Sequence, residues 1–272
     1  MLEKQGRHRK VNYVIPRIIG VIHLPPLPGS PRFAGSFDAV VERALSDCET
    51  YHRHGVDAAI VENFGDSPFS ADTVPAVTVA SMTRVVVELK EKFRQIHFGI
   101  NVLRNDAISA LSIAAIAGAE FIRVNVHVGA VIADQGVIQG KAYDTLRLRK
   151  NLNSDVKIFA DVDVKHAASI GNYDIEMQAA DALERGLADA IVVSGPRTGK
   201  PVDMKQLREL RKEFPKAKIL IGSGANSRNA KELLKSADSV IVGTSVKIGG
   251  MTSNPVDEKL LKEFVTASKS FG

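Results

Sequence analysis

The sequence has one cysteine and no tryptophan, and aromatic residues make up 6% of its 272 residues. Cys48 alone cannot form an internal disulfide or a thiolate zinc site, which favours a reducing compartment and predicts a cytoplasmic protein. No apolar run approaches the roughly 20 residues of a membrane span, and no apolar signal-peptide segment follows the basic start. These absences predict a soluble chain without integral membrane association.

The formal charge of +5 is concentrated at the start of the chain. Residues 1–17 contain five lysines and arginines against one glutamate, so this segment carries +4 of the total. A nucleic-acid surface requires basic side chains clustered on the folded body together with stacking aromatic residues, and aromatic residues are scarce here. We interpret residues 1–17 as a solvated basic N-terminal extension and expect no nucleic-acid partner.

Eight short runs rich in Val and Ile alternate with helical patterns. The runs begin at Ile18, Asp57, His97, Phe121, Val156, Asp189, Ala217 and Asp238. Their starts lie about 32 residues apart, the length of one βα unit, and continuous apolar strands indicate a parallel sheet covered by helices. The count predicts an α/β fold, a single (β/α)8 TIM barrel over residues 18–272. An open doubly wound sheet is the alternative, but it requires a glycine-rich fingerprint after an early strand that this sequence lacks.

The predicted helices have recognisable ends. Ser36 is placed to cap the first helix, and Gly55 can end it in the left-handed conformation. The junctions at Gly55, Gly118 and Gly186 share one pattern, a glycine followed by an acidic residue before an apolar strand. This pattern predicts a repeated helix-to-strand turn.

The segment ADVDVKHAA, residues 160–168, places ionisable groups in a strand that is otherwise apolar. Asp161, Asp163 and Lys165 occupy every second position. Because successive side chains of a strand point to opposite faces, all three are expected to point toward the barrel axis, with Lys165 nearest its catalytic mouth. The same argument selects further residues on or at the ends of other strands: Arg123, Asn125, His127, His23, Glu62 or Asn63, Asn101 and Ser194. We interpret Asp163, Lys165 and His127 as functional because they lie nearest the mouth.

Roles for these groups remain open at this stage. Arg123 and Asp161 lie deeper and could form a buried ion pair without function. Two carboxylates favour the protonated form of Lys165, which suits a general acid or proton shuttle better than a Schiff-base nucleophile. The candidate catalytic residues are Asp161, Asp163, Lys165, His127, Glu62, His23, Asn101 and Asn125, whereas His166 has the opposite parity. No cofactor is predicted, but a divalent metal held by His23, His127, Asp161 or Asp163 is an alternative that no H-x-H or H-E-x-x-H spacing supports.

Two glycine-rich stretches, IGSGAN at residues 221–226 and VGTSVK at residues 242–247, follow the last two predicted strands. Glycine lets backbone N–H groups approach an anion, a helix N-terminus adds a favourable dipole, and barrels often bind phosphate at these two loops. The predicted phosphate-binding residues are Gly222, Ser223, Gly224, Gly243, Thr244 and Ser245, and Lys247 either reaches the phosphate or caps the strand end. The alternative is that the glycines only make tight turns.

Two other loops have unusual compositions. SGPRTGKP, residues 194–201, predicts a mobile lid over an anionic ligand, with Ser194, Arg197, Thr198 and Gly199 as its candidate residues and a plain solvent loop as the alternative. HLPPLPGSPRF, residues 23–33, contains four prolines, which stiffen a loop and predict a rigid rim over the site.

Several of these stretches together resemble the BtpA family, also represented by SgcQ-type proteins. The resemblance rests on GVIHLPPLPGSPRF, IVENFGDSPF, GINVLRNDA, FIRVNVHVGA, DQGVIQGKA, KIFADVDVKHAA, and IGSGAN through VGTSVK, in this order over residues 20–247. It implies a (β/α)8 barrel related to the ribulose-phosphate-binding group. The family takes its name from a cyanobacterial factor for photosystem I biogenesis, a peripheral membrane protein, whereas SgcQ-type members occur among sugar-metabolism genes.

Two functions are therefore expected as alternatives. The first is an enzyme that acts on a small phosphorylated metabolite by acid/base chemistry, such as an isomerase or epimerase, an aldolase or lyase, or a hydrolase of phosphorylated sugars. The second is a non-catalytic assembly or stability factor that uses the barrel as a scaffold. The sequence leaves substrate and oligomeric state open, and barrels of this size often form homo-oligomers.

Overall fold

The computed structural model describes residues 14–163, 167–171, 173–195 and 202–269. The strands in these ranges are β1 (Ile18–His23), β2 (Ala58–Glu62), β3 (His97–Asn101), β4 (Phe121–Val124), β5 (Ala130–Ala133), β6 (Gly136–Gln139), β7 (Lys157–Val162), β8 (Ala167–Ser169), β9 (Ala190–Val193), β10 (Ile219–Ile221) and β11 (Ser239–Val242). The α-helices are α1 (Phe37–Arg53), α2 (Ala76–Lys92), α3 (Ala107–Ala117), α4 (Ala142–Asn151), α5 (Ile175–Ala180), α6 (Met204–Glu213), α7 (Ala230–Ser236) and α8 (Glu258–Lys269).

Eight parallel strands close into a barrel in the order β1-β11-β10-β9-β7-β4-β3-β2. The ring closes where Ile18 of β1 pairs with Val240 of β11, while Ile19 pairs with Ala58 of β2 on the other side. Each of the eight apolar runs contains one barrel strand, and helices alternate with the strands along the chain. The predicted (β/α)8 barrel is confirmed.

A small antiparallel sheet of order β6-β5-β8 was not predicted. β5 and β6 form a hairpin in the loop after β4, and β8 in the loop after β7 pairs with β5. Its three strands have only three or four residues each. Segments this short contain too few residues to establish a period of two, so the sequence pattern does not distinguish them from loops.

Local signals set the helix ends as expected in most places. Ser36 Oγ accepts a hydrogen bond from the Ala39 N–H at 3.2 Å, which confirms the predicted cap of α1. Gly118 ends α3 with φ of 73°, but Gly186 has φ of −78° and Leu187 takes the positive φ instead. Among the helices of the described residues, none combines the length and apolar character needed to cross a bilayer.

The amino-terminal half of the barrel interior is filled by apolar side chains. They come from alternate positions of the strands: Ile19, Val21, Ala58, Ile60, Phe121, Phe159, Ala190, Val192, Leu220 and Ile241. Phe121 and Phe159 stack with ring centroids 4.5 Å apart. Gly99 leaves room for this stack, since a Cβ there would lie 2.1 Å from the Phe121 ring. Burial of each large apolar side chain contributes about 1.5–3 kcal/mol, so this layer anchors the strands below the mouth.

Acidic residues that precede three barrel strands join neighbouring strands at the opposite end from the mouth. Each carboxylate accepts a backbone N–H of the preceding barrel strand: Glu120 from Phe98 at 2.8 Å, Asp189 from Ile158 at 3.0 Å and Asp238 from Ile219 at 3.0 Å. Basic side chains bind the same carboxylates. The acidic residue of the repeated helix-to-strand turn therefore has a structural role.

Candidate functional site

An open cavity of about 830 Å³ occupies the carboxyl-terminal mouth of the barrel. Ten of the predicted catalytic and phosphate-binding residues line it: His23, Glu62, Asn125, Asp161, Gly222, Ser223, Gly224, Gly243, Thr244 and Ser245. Small-molecule sites typically measure about 300–1,000 Å³. The structure thus brings the predicted phosphate-binding residues and four of the predicted catalytic residues to one opening of suitable size.

Ionisable and amide side chains occupy one side of this mouth. His23 lies opposite Glu62 in the parallel ladder, and Glu62 lies opposite Asn101. Register partners in adjacent strands point to the same face of a sheet, so these three buried side chains form a row across β1, β2 and β3. Asn101 supports the cavity from behind, because its Nδ2 donates to Asn125 Oδ1 at 3.4 Å.

The row continues from Asn125 to a buried ion pair. Arg123 Nε and Nη2 donate to the two carboxylate oxygens of Asp161 at 2.8 and 2.9 Å. Asn125 Nδ2 donates to Asp161 Oδ2 at 2.9 Å. The sequence left open whether Arg123 and Asp161 pair, and the structure contains this pair. Because Asp161 accepts three hydrogen bonds, its carboxylate is suited to fixing Arg123 and Asn125 rather than to transferring protons.

Charged neighbours maintain the positive charge of Arg123. Burial opposes the charged guanidinium, but the Asp161 carboxylate, its hydrogen bonds and the nearby Glu62 carboxylate outweigh burial and raise the pKa of Arg123. The guanidinium therefore stays positive at any physiological pH. It provides a fixed positive charge beneath the polar side of the mouth.

Small residues occupy the other side of the mouth, after β9, β10 and β11. A Cβ at Gly222 would lie 2.6 Å from Ser194 Oγ, and a Cβ at Gly243 would lie 2.7 Å from the His23 ring. Gly224 has φ of 75°, a conformation that favours glycine. Close packing thus explains these glycines, and it also leaves backbone exposed to the cavity without covering side chains.

Two hydroxyl groups beside these glycines lack partners. Within the part of the chain that the structure describes, the buried Ser223 Oγ and Ser194 Oγ have no hydrogen-bond partner. Buried hydroxyl groups are nearly always hydrogen bonded in native proteins. Ser223 lines the cavity, whereas Ser194 lies behind Gly222. The wall of the cavity therefore contains a hydroxyl group without a partner among the described residues.

One hydrogen bond joins the two glycine-rich loops. Ser245 Oγ donates to the Ala225 carbonyl at 2.7 Å. Thr244 Oγ1 also pairs with Thr252 Oγ1 at 2.9 Å, which connects the second loop to the next segment of the chain. The two loops consequently form one continuous wall of the cavity.

Asp163 does not follow the predicted parity. β7 ends at Val162, and Asp163 has φ of 57° and an exposed side chain that does not line the cavity. The left-handed conformation interrupts the alternation of a strand, so the prediction that Asp163 faces the mouth is wrong. Partial burial raises the pKa of its carboxyl group. Lys165 and His166 lie outside the described residues.

His127 also lies outside the central cavity. β4 ends at Val124, and His127 Nε2–H donates to the Gly186 carbonyl at 2.8 Å. His127 lines a separate groove of about 470 Å³ together with Tyr143 and Arg185. Burial lowers the pKa of His127, which keeps it neutral. The prediction that it faces the mouth is wrong because the strand period still places Asn125, one residue beyond β4, but does not extend to His127, three residues beyond it.

Lys247 does not reach the glycine-rich loops. Its Nζ lies 2.6 Å from Asp47 Oδ2, and both side chains are buried. The interpretation of Lys247 as a phosphate ligand is therefore wrong. Three of the predicted lid residues, Arg197, Thr198 and Gly199, lie outside the described residues.

The four predicted metal ligands are not brought together. His127 and Asp163 lie away from the cavity, and Asp161 is engaged by Arg123 and Asn125. Among the described residues, no group of three or more His, Cys, Asp and Glu side chains is placed to hold a metal ion.

Several cavity residues on loops were missed by the sequence analysis. They are Phe64, Phe69, Arg104, Asp134 and Gln135. Phe64 lies two residues beyond β2 and Arg104 three residues beyond β3, so an extension of the strand-end argument into the loops would have found them. Asp134 and Gln135 form the tip of the β5–β6 hairpin, and only the recognition of that hairpin would have placed them.

Comparisons with known proteins agree with this architecture. A protein of Methanocaldococcus jannaschii is 44% identical over 248 residues, which are 91% of this chain and 93% of that protein. The photosystem I biogenesis protein BtpA of Synechocystis sp. is 44% identical over 250 residues, 92% of this chain and 87% of that protein.

Solved structures with the same fold include enzymes. 3-Hexulose-6-phosphate synthase superimposes with a TM-score of 0.57 at 14% identity, covering 92% of this chain and 99% of that one. N-(5'-phosphoribosyl)anthranilate isomerase from Pyrococcus furiosus superimposes with a TM-score of 0.56 at 15% identity, and the match covers 93% of this chain and 98% of that one. At this identity the likeness establishes the fold alone. The BtpA family model matches residues 16–270, and with these relatives it shows that the chain belongs to the BtpA family.

Proposed function

We propose that the protein is an enzyme that binds a small phosphorylated compound and transfers protons at the part of it that lies away from the phosphate. The observation that carries this proposal is that one cavity brings the glycine-rich loops after β10 and β11 together with His23 and Glu62, which end the neighbouring strands β1 and β2. Both solved structures described above are enzymes named for phosphorylated sugar derivatives, which supports a phosphorylated ligand.

The phosphate would lie against Gly222–Gly224 and Gly243–Ser245. These segments form one wall, contain no large side chain and include the unpartnered Ser223 hydroxyl. Backbone N–H groups and hydroxyl groups can bind phosphate oxygens without an accompanying cation. Barrels commonly bind phosphate at the loops after the last two strands, which is where these segments occur.

Glu62 and His23 are the proposed acid/base groups. In an isomerisation or epimerisation, the Glu62 carboxylate removes the proton on the carbon next to a carbonyl while His23 gives a proton to the carbonyl oxygen. In isomerisation, Glu62 then gives its proton to the former carbonyl carbon of the enediol, while the hydroxyl on the neighbouring carbon loses its proton to His23 and becomes the new carbonyl. In epimerisation, the carbon that lost its proton regains one on the opposite face, while the enediol oxygen returns its proton to His23. The fixed charge of Arg123 favours the negative charge that develops on oxygen. Carbon–carbon cleavage and hydrolysis can use the same groups and are the alternative reactions. A catalytic role for Lys165 stays a prediction.

Thermal unfolding with a panel of phosphorylated metabolites tests the phosphate site. A ligand at 100 times its Kd adds about 2.7 kcal/mol, so Tm should rise by roughly 5–10 °C. Ser223→Asp, which places a carboxylate against the proposed phosphate, should abolish the rise. Ser227→Asp is the matched control, because Ser227 is exposed on the same loop and does not line the cavity. A panel in which no phosphorylated compound raises Tm would contradict the proposal.

Solvent exchange tests the acid/base step once a ligand is known. Incubation in D2O should place deuterium on the carbon next to the carbonyl, and Glu62→Gln should slow this by a factor of about 10²–10⁴ while the ligand still binds. Exchange that continues unchanged in Glu62→Gln would exclude Glu62 as the base.

A second candidate function is a non-catalytic assembly factor. It is favoured by the name of the Synechocystis relative and by the mutual pairing of Arg123, Asp161 and Asn125. A cavity of about 830 Å³ is not expected of a scaffold that binds only through its surface. Failure of every ligand in the panel would favour this second candidate.

A further inference from the structure

One end of the cavity carries aromatic side chains that face open space. Phe64 and Phe69 both line the cavity, and the Phe64 side chain belongs to a residue that is 37% exposed. Leu103 and Arg104 line the same end. The exposed Phe64 ring and the half-buried Phe69 ring are informative, because burial of an aromatic ring is favourable and a packed core would have enclosed them.

The aromatic end and the proposed phosphate wall flank β1, because Phe64 follows β2, Gly243 follows β11, and both pack against the His23 ring of β1. Leu103 and Arg104 follow β3, and Gly222 follows β10, which is four strands from β3 in either direction around the ring of eight. Phe69 is close to Arg104, because the Arg104 N–H donates to the carbonyl of the adjacent Ser70 at 3.2 Å. A ligand that spans the cavity therefore has its phosphate at one end and contacts aromatic rings at the other.

Hydrogen bonds fix the loop that carries Phe64 to both of its neighbours. Asn63 Oδ1 accepts the Leu103 N–H at 2.8 Å, and Asp66 Oδ1 accepts the Leu27 N–H at 2.8 Å. Gly65 packs against the proline-rich loop so closely that a Cβ would lie 2.3 Å from Pro26 N. The Phe64 ring also meets the His23 ring edge-on, with centroids 5.1 Å apart. The aromatic surface is thus preformed, which lowers the entropy lost when a ligand stacks on it.

The hairpin tip adds polar groups to the same cavity. Within the described residues, Gln135 Oε1 is enclosed and has no hydrogen-bond partner, while its Nε2 donates to Asp134 Oδ2 at 2.6 Å. Asp134 and Gln135 line the cavity, so the hairpin tip places polar side chains beside a bound ligand. A sugar phosphate alone would leave the phenyl rings without a ring to stack on.

We propose that the phosphorylated ligand is a nucleoside 5′-monophosphate, with its base stacked on Phe64 and Phe69 and its phosphate on the glycine-rich wall. This inference rests on the proposed phosphate site and adds the class of substrate. Base–phenyl stacking explains the exposed rings, the ribose spans the space above His23 and Glu62, and the hairpin tip contacts the base edge. The ribose of a nucleotide has no carbonyl, so the reaction is then the hydrolysis named above as an alternative: Glu62 takes a proton from water as its oxygen bonds to C1′, the C1′–N bond breaks, and His23 gives a proton to the leaving base.

Isothermal titration of the full chain with inorganic phosphate, ribose 5-phosphate, glucose 6-phosphate, AMP and adenosine tests this inference. AMP should bind at least tenfold more tightly than either sugar phosphate. Phe64→Leu should raise the Kd for AMP at least tenfold and leave the Kd for ribose 5-phosphate unchanged. Phe33→Leu is the matched control, because Phe33 lies on the proline-rich loop without lining the cavity. Phe69→Leu provides a second variant if Phe64→Leu does not fold.

The outcomes separate this inference from the proposed function. If ribose 5-phosphate or glucose 6-phosphate binds as tightly as AMP, the nucleotide inference is overturned and the phosphate site stands. If adenosine binds as tightly as AMP, or no phosphorylated compound binds, the phosphate site itself is overturned. Equal AMP affinity in wild type, Phe64→Leu and Phe69→Leu would exclude the aromatic end as the base site.

Discussion

At the scale of single residues, the Arg123 guanidinium determines what the polar side of the mouth can do. It is buried, donates two hydrogen bonds to Asp161 and has the Glu62 carboxylate nearby. Removal of a charge from water costs several kcal/mol, and only close pairing with further hydrogen bonds offsets this cost. Asp161 is therefore committed to Arg123, which leaves Glu62 and Asp134 as the other carboxylates that line the cavity.

Substitution of Asp161 should consequently destabilise the fold. Asp161→Asn keeps the shape of the side chain but leaves the Arg123 charge buried without a carboxylate partner, which we expect to cost about 3 kcal/mol. Such a loss should lower Tm by roughly 10 °C. Circular dichroism is the suitable measurement, since the chain has no tryptophan.

Asp163→Asn is the matched control, because it makes the same chemical change two residues along the chain. Asp163 is exposed with φ of 57°, a conformation that asparagine adopts readily. The free energy of unfolding should change by less than about 0.5 kcal/mol. Equal losses of Tm in the two variants would show that the Arg123–Asp161 pair contributes no more than an exposed carboxylate does.

At the scale of elements, the period of two predicts side-chain direction only as far as a strand continues. It placed His23, Glu62 and Asn101 correctly, because each of these residues ends its strand. It failed for Asp163 and His127, which lie beyond the last residues of β7 and β4. Strand ends depend on hydrogen bonds with neighbouring strands, and these partners are distant in sequence.

Loops, too, could be predicted only where the local sequence is distinctive. The eight barrel strands could be predicted because each is a continuous apolar run, and the glycine-rich loops because their composition is distinctive. The β5–β6 hairpin that brings Asp134 and Gln135 to the cavity could not be predicted, because its position depends on pairing with β8. The sequence therefore predicted the barrel and the glycine-rich side of the cavity better than the loops that carry the β5–β6 hairpin.

The acidic residue before β11 should make stability depend on pH. Burial alone would raise the pKa of Asp238, but hydrogen bonds from the Ile219 N–H, Arg211 and Lys218 outweigh burial and lower it. A carboxyl group with a lowered pKa stabilises the folded state above its unfolded pKa of about 3.9, and this contribution is lost as pH falls through the folded value. Asp238→Asn should thus lower Tm at pH 7 and have a smaller effect near pH 3.

The measurement is the difference in Tm between wild type and Asp238→Asn at several pH values from 7 down to 3. Asp134→Asn serves as the control, because Asp134 is exposed on the hairpin and no strand N–H binds it. A difference for Asp238→Asn that stays constant across this range would contradict the lowered pKa.

At the scale of the whole molecule, the barrel is a ring whose first and last strands must meet. β1 pairs with β11, and such contacts between distant parts of the sequence are the slowest to form. Asp47 of α1 lies near this seam, where its Oδ2 binds Lys247 and its Oδ1 accepts the Val256 N–H at 2.8 Å. One buried carboxylate therefore connects the first helix to the segment after the last strand.

Loss of the cation at this seam should be more harmful than loss of both charges. Lys247→Met leaves the Asp47 carboxylate buried with Arg43, at 3.4 Å, as its remaining ion-pair partner among the described residues, and should cost about 3–5 kcal/mol. Lys247→Met with Asp47→Asn removes both charges and keeps an oxygen that can accept the Val256 N–H, so the double variant should have a higher Tm than Lys247→Met alone. Lys205→Met is the control, because its side chain is 83% exposed and its removal should change stability by less than about 0.5 kcal/mol. If the effects of Lys247→Met and Asp47→Asn simply add in the double variant, the two residues are not coupled and the seam is held by packing alone.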